Sequence, residues 1–195
     1  MAHNIVDVEQ GSKEWHELRK SKITATDAPV IMGASPWKTK HQLYYEKTES
    51  GYEIVINERM QRGLDLEPIA RETFIFSTGT FVAPAVVVRD WAMASLDGIT
   101  KDGNYIIEIK CPGAKYHAIA LQGNVPDHYY PQLQHQMYVT DLQEAGYVSF
   151  DGEDFVCVKV KRDDAYIDRM VEEEKKFYEC LVNRTPPEQN AAVLI

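Results

Sequence analysis

The dipeptide Asp102-Gly103 constrains the fold more than any other feature of the chain. It lies between two runs rich in β-branched and apolar residues within MASLDGITKDGNYIIEIKCP, residues 93–112, the strongest short-range signal for a two-residue hairpin turn. With Asp102 and Gly103 as the loop, residues whose numbers sum to 205 face each other. Asp97 then falls opposite Glu108, and Ser95 opposite Lys110. Side chains alternate along a strand, so Ser95, Asp97, Glu108 and Lys110 share one face. Leu96, Ile107 and Ile109 are expected on the other face, in the core.

Opposed side chains on paired strands have Cβ atoms about 5 Å apart, and like charges placed there destabilise the sheet. Two such carboxylates need a cation or a shared proton. Mg²⁺ suits them, because it takes oxygen ligands, uses one or two carboxylates and keeps waters that a substrate phosphate can displace. The Ile109 carbonyl is a further candidate ligand. Lys110 beside the metal could hold or deprotonate a water, or stabilise charge on phosphorus. The same four residues fit the solvated face of an ordinary hairpin equally well, and spacing alone does not separate the two readings.

A chain of 195 residues with 44% hydrophobic content is expected to fold as one globular domain over 1–195, with 185–195 a loose tail. The N-terminus has no signal-peptide pattern, and no apolar run approaches the roughly 18 residues of a spanning helix. A soluble, cytoplasmic protein without membrane contacts is the expectation. The three cysteines (Cys111, Cys157, Cys180) are scattered, without a CxxC pair, which argues against a disulfide framework, a zinc site or a four-cysteine cluster. The net charge of −9 argues against a general nucleic-acid coat. The charge is uneven, however: residues 141–180 carry a net −6, whereas residues 1–48 carry +1 with Arg19, Lys20, Lys22, Lys38 and Lys40 clustered. That permits one basic surface on an acidic body.

Along the chain, residues 3–8 read as a short strand, followed by a helix capped by Ser12. Thr24-Ala25-Thr26-Asp27 reads as a second helix start, ended by Gly33. Hydroxyls at such a terminus make an anion site to which Arg19 could add a bidentate contact, although plain caps and a solvated arginine fit as well. A helix is expected over 39–48, broken by Glu49, Ser50 and Gly51. Another covers 57–78, with Leu66, Ile69, Ala70, Thr73 and Phe74 inward. Glu67 precedes Pro68, which predicts a first turn or a kink there. A strand at 81–89 leads into the hairpin. A proline-flanked helix follows within 124–140, with Tyr129, Gln132 and Gln136 near one face. His128 and His135 lie seven apart without a third partner and are not read as ligands. A second hairpin turns at Asp151-Gly152, and an amphipathic helix through Ile167, Met170, Glu174 and Phe177 closes the chain.

Five motifs in this order resemble one family. They are Trp15-x-x-Leu18-Arg19 with Ile23-Thr24-Ala25-Thr26, Gly63-x-x-x-Glu67-Pro68-x-Ala70, Ser95-x-Asp97-Gly98, Glu108-x-Lys110-Cys111-Pro112 and Tyr129-x-x-Gln132-x-Gln134. The chain resembles, over roughly residues 8–180, the lambda-exonuclease-like viral recombinases of the YqaJ type, a branch of the PD-(D/E)XK nucleases.

The resemblance implies an α/β (α+β) fold with a central mixed sheet flanked by helices. It implies Mg²⁺-dependent 5′→3′ digestion of linear double-stranded DNA to mononucleotides, leaving a 3′ single strand, with Mn²⁺ able to substitute. It also implies a homotrimeric ring, a single-strand-annealing partner and a phage or prophage origin in a bacterial cytoplasm. By motif, Asp97 and Glu108 would hold metal with the Ile109 carbonyl, and Glu67 would add an acidic or water-mediated contact. Lys110 would position the attacking water, and Gln132 would orient that water or the lysine. Arg19, Thr26 and Ser95 would hold the 5′-phosphate; Thr26 stands where the family often has serine, with the same hydroxyl. The rival readings are an endonuclease of the same fold and a non-catalytic DNA-binding module.

Overall fold

The computed structural model describes residues 4–49 and 56–188. The chain runs β1 (Ile5–Val6), α1 (Lys13–Ser21), β2 (Ile23–Thr24), α2 (Ala28–Ile31), α3 (Lys40–Thr48) and α4 (Glu58–Thr78). It continues through β3 (Val82–Arg89), β4 (Ala92–Thr100), β5 (Ile106–Lys110), α5 (Ala114–Leu121) and α6 (Tyr130–Thr140). It ends with β6 (Glu144–Phe150), β7 (Phe155–Lys161) and α7 (Asp164–Val182). The strands form one mixed sheet in the order β1-β3-β4-β5-β6-β7, with β2 added parallel to β4. The pair β5–β6 is also parallel, and the remaining pairs are antiparallel.

Helices cover both faces of this sheet. On one face Leu133 and Met137 of α6 pack on Ala92, Ala94, Leu96, Ile106 and Tyr147. On the other, Ala70 and Phe74 of α4 pack on Val82, Ile107, Ile109 and Val148. A third cluster joins Ile23, Val30, Ile31, Leu43, Tyr44 and Phe177. Local chemistry sets several element ends. The Ser12 hydroxyl accepts from Trp15 N at 3.1 Å, Thr39 and Gln42 form a capping box on α3, and Gly79 ends α4 in the left-handed region at φ 68°.

The hairpin register is the expected one, with Gly98 opposite Ile107 and Ile99 opposite Ile106. The loop is wider than two residues, because Thr100 N donates to the Tyr105 carbonyl at 2.9 Å and Lys101 to Asn104 form the turn. Widening a loop by one residue on each side keeps the same facing pairs. The ladder stops at Gly98–Ile107, however, one pair before Asp97 and Glu108. Against β3 the cause is visible: Ile99 pairs with Ala83 but Leu96 with Ala85, so β4 carries one extra residue at Asp97-Gly98. Such a bulge re-aims the side chains beyond it. Leu96 therefore packs on the α6 face, apart from Ile107 and Ile109, and Ser95, which pairs with Val86 on the β3 side, has no ladder partner on β5.

Other elements depart from the sequence reading in specific ways. Pro68 lies inside α4, so Glu67 is in mid-helix, since a 21-residue helix tolerates one missing N–H. Ile69 is exposed, and Leu66, Ala70 and Phe74 form the buried line. α2 has four residues, too few for a strong terminal dipole beside Thr26. Helix α5 has no counterpart in the sequence reading. Ser50, Gly51 and residues 189–195 lie outside the described residues.

Candidate active site

β4 is paired with β3 along one side, and on its other side it is shared. β2 pairs with Ala92 and Met93, and β5 pairs with Gly98 and Ile99. Among the described residues no strand pairs with 95–97 on that side. The sheet is therefore forked, and Ser95 and Asp97 sit in the fork. Thr24 and Thr26 border it from the end of β2, and Glu108 and Lys110 from β5.

The fork is held open by side chains. Ile109 N donates to Asp97 Oδ2 at 2.7 Å, and Arg71 Nε donates to the Asp97 carbonyl at 2.7 Å. Gln10 Nε2 donates to the carbonyls of Ala85 and Leu96 at 3.2 and 3.1 Å, pinning the bulge. Gly98 has to be glycine here: a Cβ would lie 2.8 Å from side-chain carbons of both Ile107 and Val82.

Glu108 is 1% exposed, and donors surround its carboxylate. Oε1 accepts from Gln132 Nε2 at 2.6 Å and pairs with the Lys110 ammonium; Oε2 accepts from Gln136 Nε2. Lys110 Nζ also lies 5.5 Å from the centre of the Tyr129 ring. Burial opposes charge on Lys110, but Glu108 and then Asp97 outweigh it and hold its pKa above the usual lysine range. Asp97 is pushed the other way. Burial and the Glu108 charge raise its carboxyl well above the usual range, against the opposing effect of Lys110.

A second group joins the fork through Trp15. Its Nε1 donates to Ser95 Oγ at 2.8 Å, its ring lies 4.5 Å beneath the Arg19 guanidinium, and Arg19 Nη2 donates to Thr26 Oγ1 at 3.0 Å. Arg19, Thr26 and Ser95 are thus tied together, with Ser95 two residues from Asp97 on one strand. Trp15 is the link, and Gln136 and Arg71 complete the acidic side; sequence reasoning assigned none of the three a role. The position of Gln136 four residues beyond Gln132 on one helix is the signal that marks it. Gln134, although part of the same motif, faces away and joins the Lys161 carbonyl and Asp163 N at 2.9 Å each. His135 is a core residue bonded to Glu174 at 2.8 Å and to the Met93 carbonyl at 3.1 Å.

Among the described residues no three His, Cys, Asp or Glu side chains converge as a metal cage. Glu67, on the α4 side, is paired with Arg71. The donor set still fits a hard divalent ion that keeps part of its water shell. Asp97 and Glu108 supply carboxylate oxygens, and burial together with the Glu108 charge raises the Asp97 carboxyl, a shift that a cation bound beside it would oppose.

Fold and site define a class. The sequence profile of the YqaJ-like viral recombinase domain matches residues 14–143, and the chain belongs to that family. It is similar to YqaJ of Bacillus subtilis, with 26% identity over 182 residues, 87% of this chain and 56% of that protein. It is also similar to R354 of Acanthamoeba polyphaga mimivirus, with 28% identity over 181 residues, 84% of this chain and 32% of that protein. The chain therefore spans between about a third and just over half the length of these relatives. Among solved structures it resembles LHK-Exo, an alkaline exonuclease from Laribacter hongkongensis, at 30% identity and a TM-score of 0.77 over 89% of this chain and 94% of that one. LHK-Exo is also known in complex with dAMP. A phage-related exonuclease from Haemophilus somnus shares the fold at 17% identity, a TM-score of 0.64 and coverage of 84% and 96%.

Proposed function

We propose that this protein is a Mg²⁺-dependent nuclease of the PD-(D/E)XK type that digests linear double-stranded DNA from 5′ ends and leaves a 3′ single strand. The observation that carries this reading is the joining of two groups in one fork: Asp97, Glu108 and Lys110 on one side, and Arg19, Thr26 and Ser95 tied through Trp15 on the other. An acidic pair suits hydrolysis of a phosphodiester, and the cationic hydroxyl-lined group suits a terminal phosphate monoester one nucleotide away.

Arg19 binds the 5′-phosphate, with the Thr26 and Ser95 hydroxyls on the remaining oxygens. Lys110, held in its charged form, stabilises negative charge as it develops on the scissile phosphate. Gln132 and Gln136 fix the Glu108 carboxylate, and Ile109 N fixes Asp97. Mg²⁺ held by Asp97, Glu108 and the Ile109 carbonyl, with Glu67 reached through water, would activate the attacking water and neutralise the leaving oxygen. Water adds to phosphorus and the bond to the 3′ oxygen of the terminal nucleotide breaks. The products are a nucleoside 5′-monophosphate and a DNA end bearing a new 5′-phosphate. LHK-Exo in complex with dAMP, a nucleoside 5′-monophosphate, supports this product class. Within the same reading the chain is one nuclease domain that acts in the cytoplasm as a homotrimeric ring beside a single-strand-annealing protein, and Mn²⁺ replaces Mg²⁺.

The test is a time course on linear 5′-phosphorylated duplex and on closed circular duplex, with and without Mg²⁺. Release of mononucleotides from the linear DNA alone, and only with the metal, is expected. Digestion of the closed circle would make the protein an endonuclease.

A further inference from the structure

Trp37 is 60% exposed, in the connection between α2 and α3. Single exposed apolar side chains are ordinary on protein surfaces. Trp37 differs in what stands behind it. Its ring meets the His128 ring at 4.8 Å and 89°, and His128 lies 4.0 Å from the Tyr129 ring, the same ring that lies beneath Lys110. Tyr116 closes on His128 from another side at 4.8 Å and lies under Lys115 at 5.6 Å. His128 is 8% exposed, and its Nε2 has no hydrogen-bond partner among the described residues, so the ring acts here as a packed brace. A continuous train of rings therefore runs from Lys110 through Tyr129 and His128 to a tryptophan that lies open to solvent, and Tyr116, which branches from His128, lies under a second lysine, Lys115. Aromatic faces next to cationic side chains are how proteins hold unstacked nucleobases, and every base has a π-face to offer.

We propose that Trp37, braced by His128, is a stacking platform for a base of the DNA end whose backbone lies at Lys110. Trp37 is a positioning residue: it holds the terminal region in register while the groups in the fork act on phosphate. The proposal rests on the reading of the fork as a nuclease site. Stacking is gained on binding and kept in the transition state, so its loss raises KM and leaves kcat nearly unchanged.

Two measurements test this. In steady-state digestion of linear duplex, Trp37→Ala is expected to raise KM by about five- to 150-fold, and Trp37→Phe to recover most of the loss. In a cleavage-silent Asp97→Ala background, duplex ends are expected to quench tryptophan emission, and adding Trp37→Phe is expected to abolish most of that quenching while DNA remains bound. An unchanged KM in Trp37→Ala, or full quenching with phenylalanine at position 37, overturns the platform. The quenching measurement needs no turnover. A wild type that fails to digest linear duplex therefore removes the proposed function, while the role of Trp37 is still decided.

Discussion

Ile109 gives its backbone N–H to the Asp97 carboxylate at 2.7 Å, where continuation of the hairpin register would have brought it to Leu96. The extra residue in β4 returns Leu96 to β3, and the Asp97 side chain fills the opening. One carboxylate thus both terminates a β-ladder and faces a second buried acid. Asp97 bears the electrostatic cost, since burial and Glu108 raise its pKa well above the usual carboxylate range.

Stability should therefore fall as Asp97 ionises. A raised native pKa means that the native state binds more protons than the unfolded chain, so stability declines as pH rises from the unfolded value near 3.8 through the native one. Above that window, without divalent metal, Asp97→Asn should melt at a higher temperature than wild type. Mg²⁺ should raise the melting temperature of the wild type and leave that of Asp97→Asn nearly unmoved. Differential scanning calorimetry across pH, with and without Mg²⁺, measures both; equal metal shifts would remove Asp97 from the ligands.

Glu108→Ala and Asp97→Ala should abolish cleavage while DNA binding measured without divalent metal survives, because removing negative charge near phosphate does not weaken attraction to DNA there. Lys110→Ala should lose most of the rate with Mg²⁺ affinity retained. Because Glu108 and Asp97 keep Lys110 charged, that loss should be constant across neutral and mildly alkaline pH. Single-turnover rates beside metal titrations check this, and a deficit that vanishes at alkaline pH would contradict it.

Much of this site is legible in the sequence for physical reasons that also mark where reading stops. The Asp-Gly turn and the period of two give the facing pairs Gly98–Ile107 and Ile99–Ile106, since register survives a wider loop. The bulge is invisible to that logic, because one extra residue in β4 is defined by its partner β3. It displaces Leu96 from its expected face and leaves Ser95 without its expected partner on β5. The helical spacing of Gln132 and Gln136 is readable, but their shared target on β5 is not, because sheet-to-helix packing decides it. The link through Trp15 belongs to the same class: a tryptophan in an amphipathic helix gives no sign that its N–H serves a hydroxyl 80 residues away.

Gln136 holds Glu108 Oε2. A hydrogen bond to a charged, buried group is worth about 1.5–3 kcal/mol. Gln136→Leu should destabilise the fold by about that amount and weaken Mg²⁺ binding, since the carboxylate loses its orientation. Urea unfolding and metal titration are the checks; a change in neither would mean that Gln132 and Lys110 suffice.

Gly98 lies where a methyl group would meet Ile107 and Val82 carbons at 2.8 Å. Gly98→Ala should cost about 1–3 kcal/mol by overpacking and should also shift the adjacent Asp97, lowering the cleavage rate beyond the loss of folded protein. Comparing urea midpoints with the specific activity of folded protein separates the two effects.

The end of the DNA offers the sharpest discrimination. A terminal phosphate monoester carries more negative charge than an internal diester and presents three free oxygens. Arg19, steadied by the Trp15 ring at 4.5 Å and by Thr26 at 3.0 Å, has its guanidinium beside the proposed seat. A charge-assisted hydrogen bond contributes about 1.5–3 kcal/mol, so duplex with a 5′-hydroxyl should be cut about ten- to a hundredfold more slowly. Arg19→Ala should erase the difference between the two ends. Trp15→Phe should have an intermediate effect, because it keeps a ring beneath Arg19 while removing the N–H that holds the Ser95 hydroxyl. Initial rates on matched 5′-phosphate and 5′-hydroxyl duplexes, for wild type and both variants, settle the matter. Equal rates on the two ends for wild type, or a full preference in Arg19→Ala, would place the 5′-phosphate elsewhere.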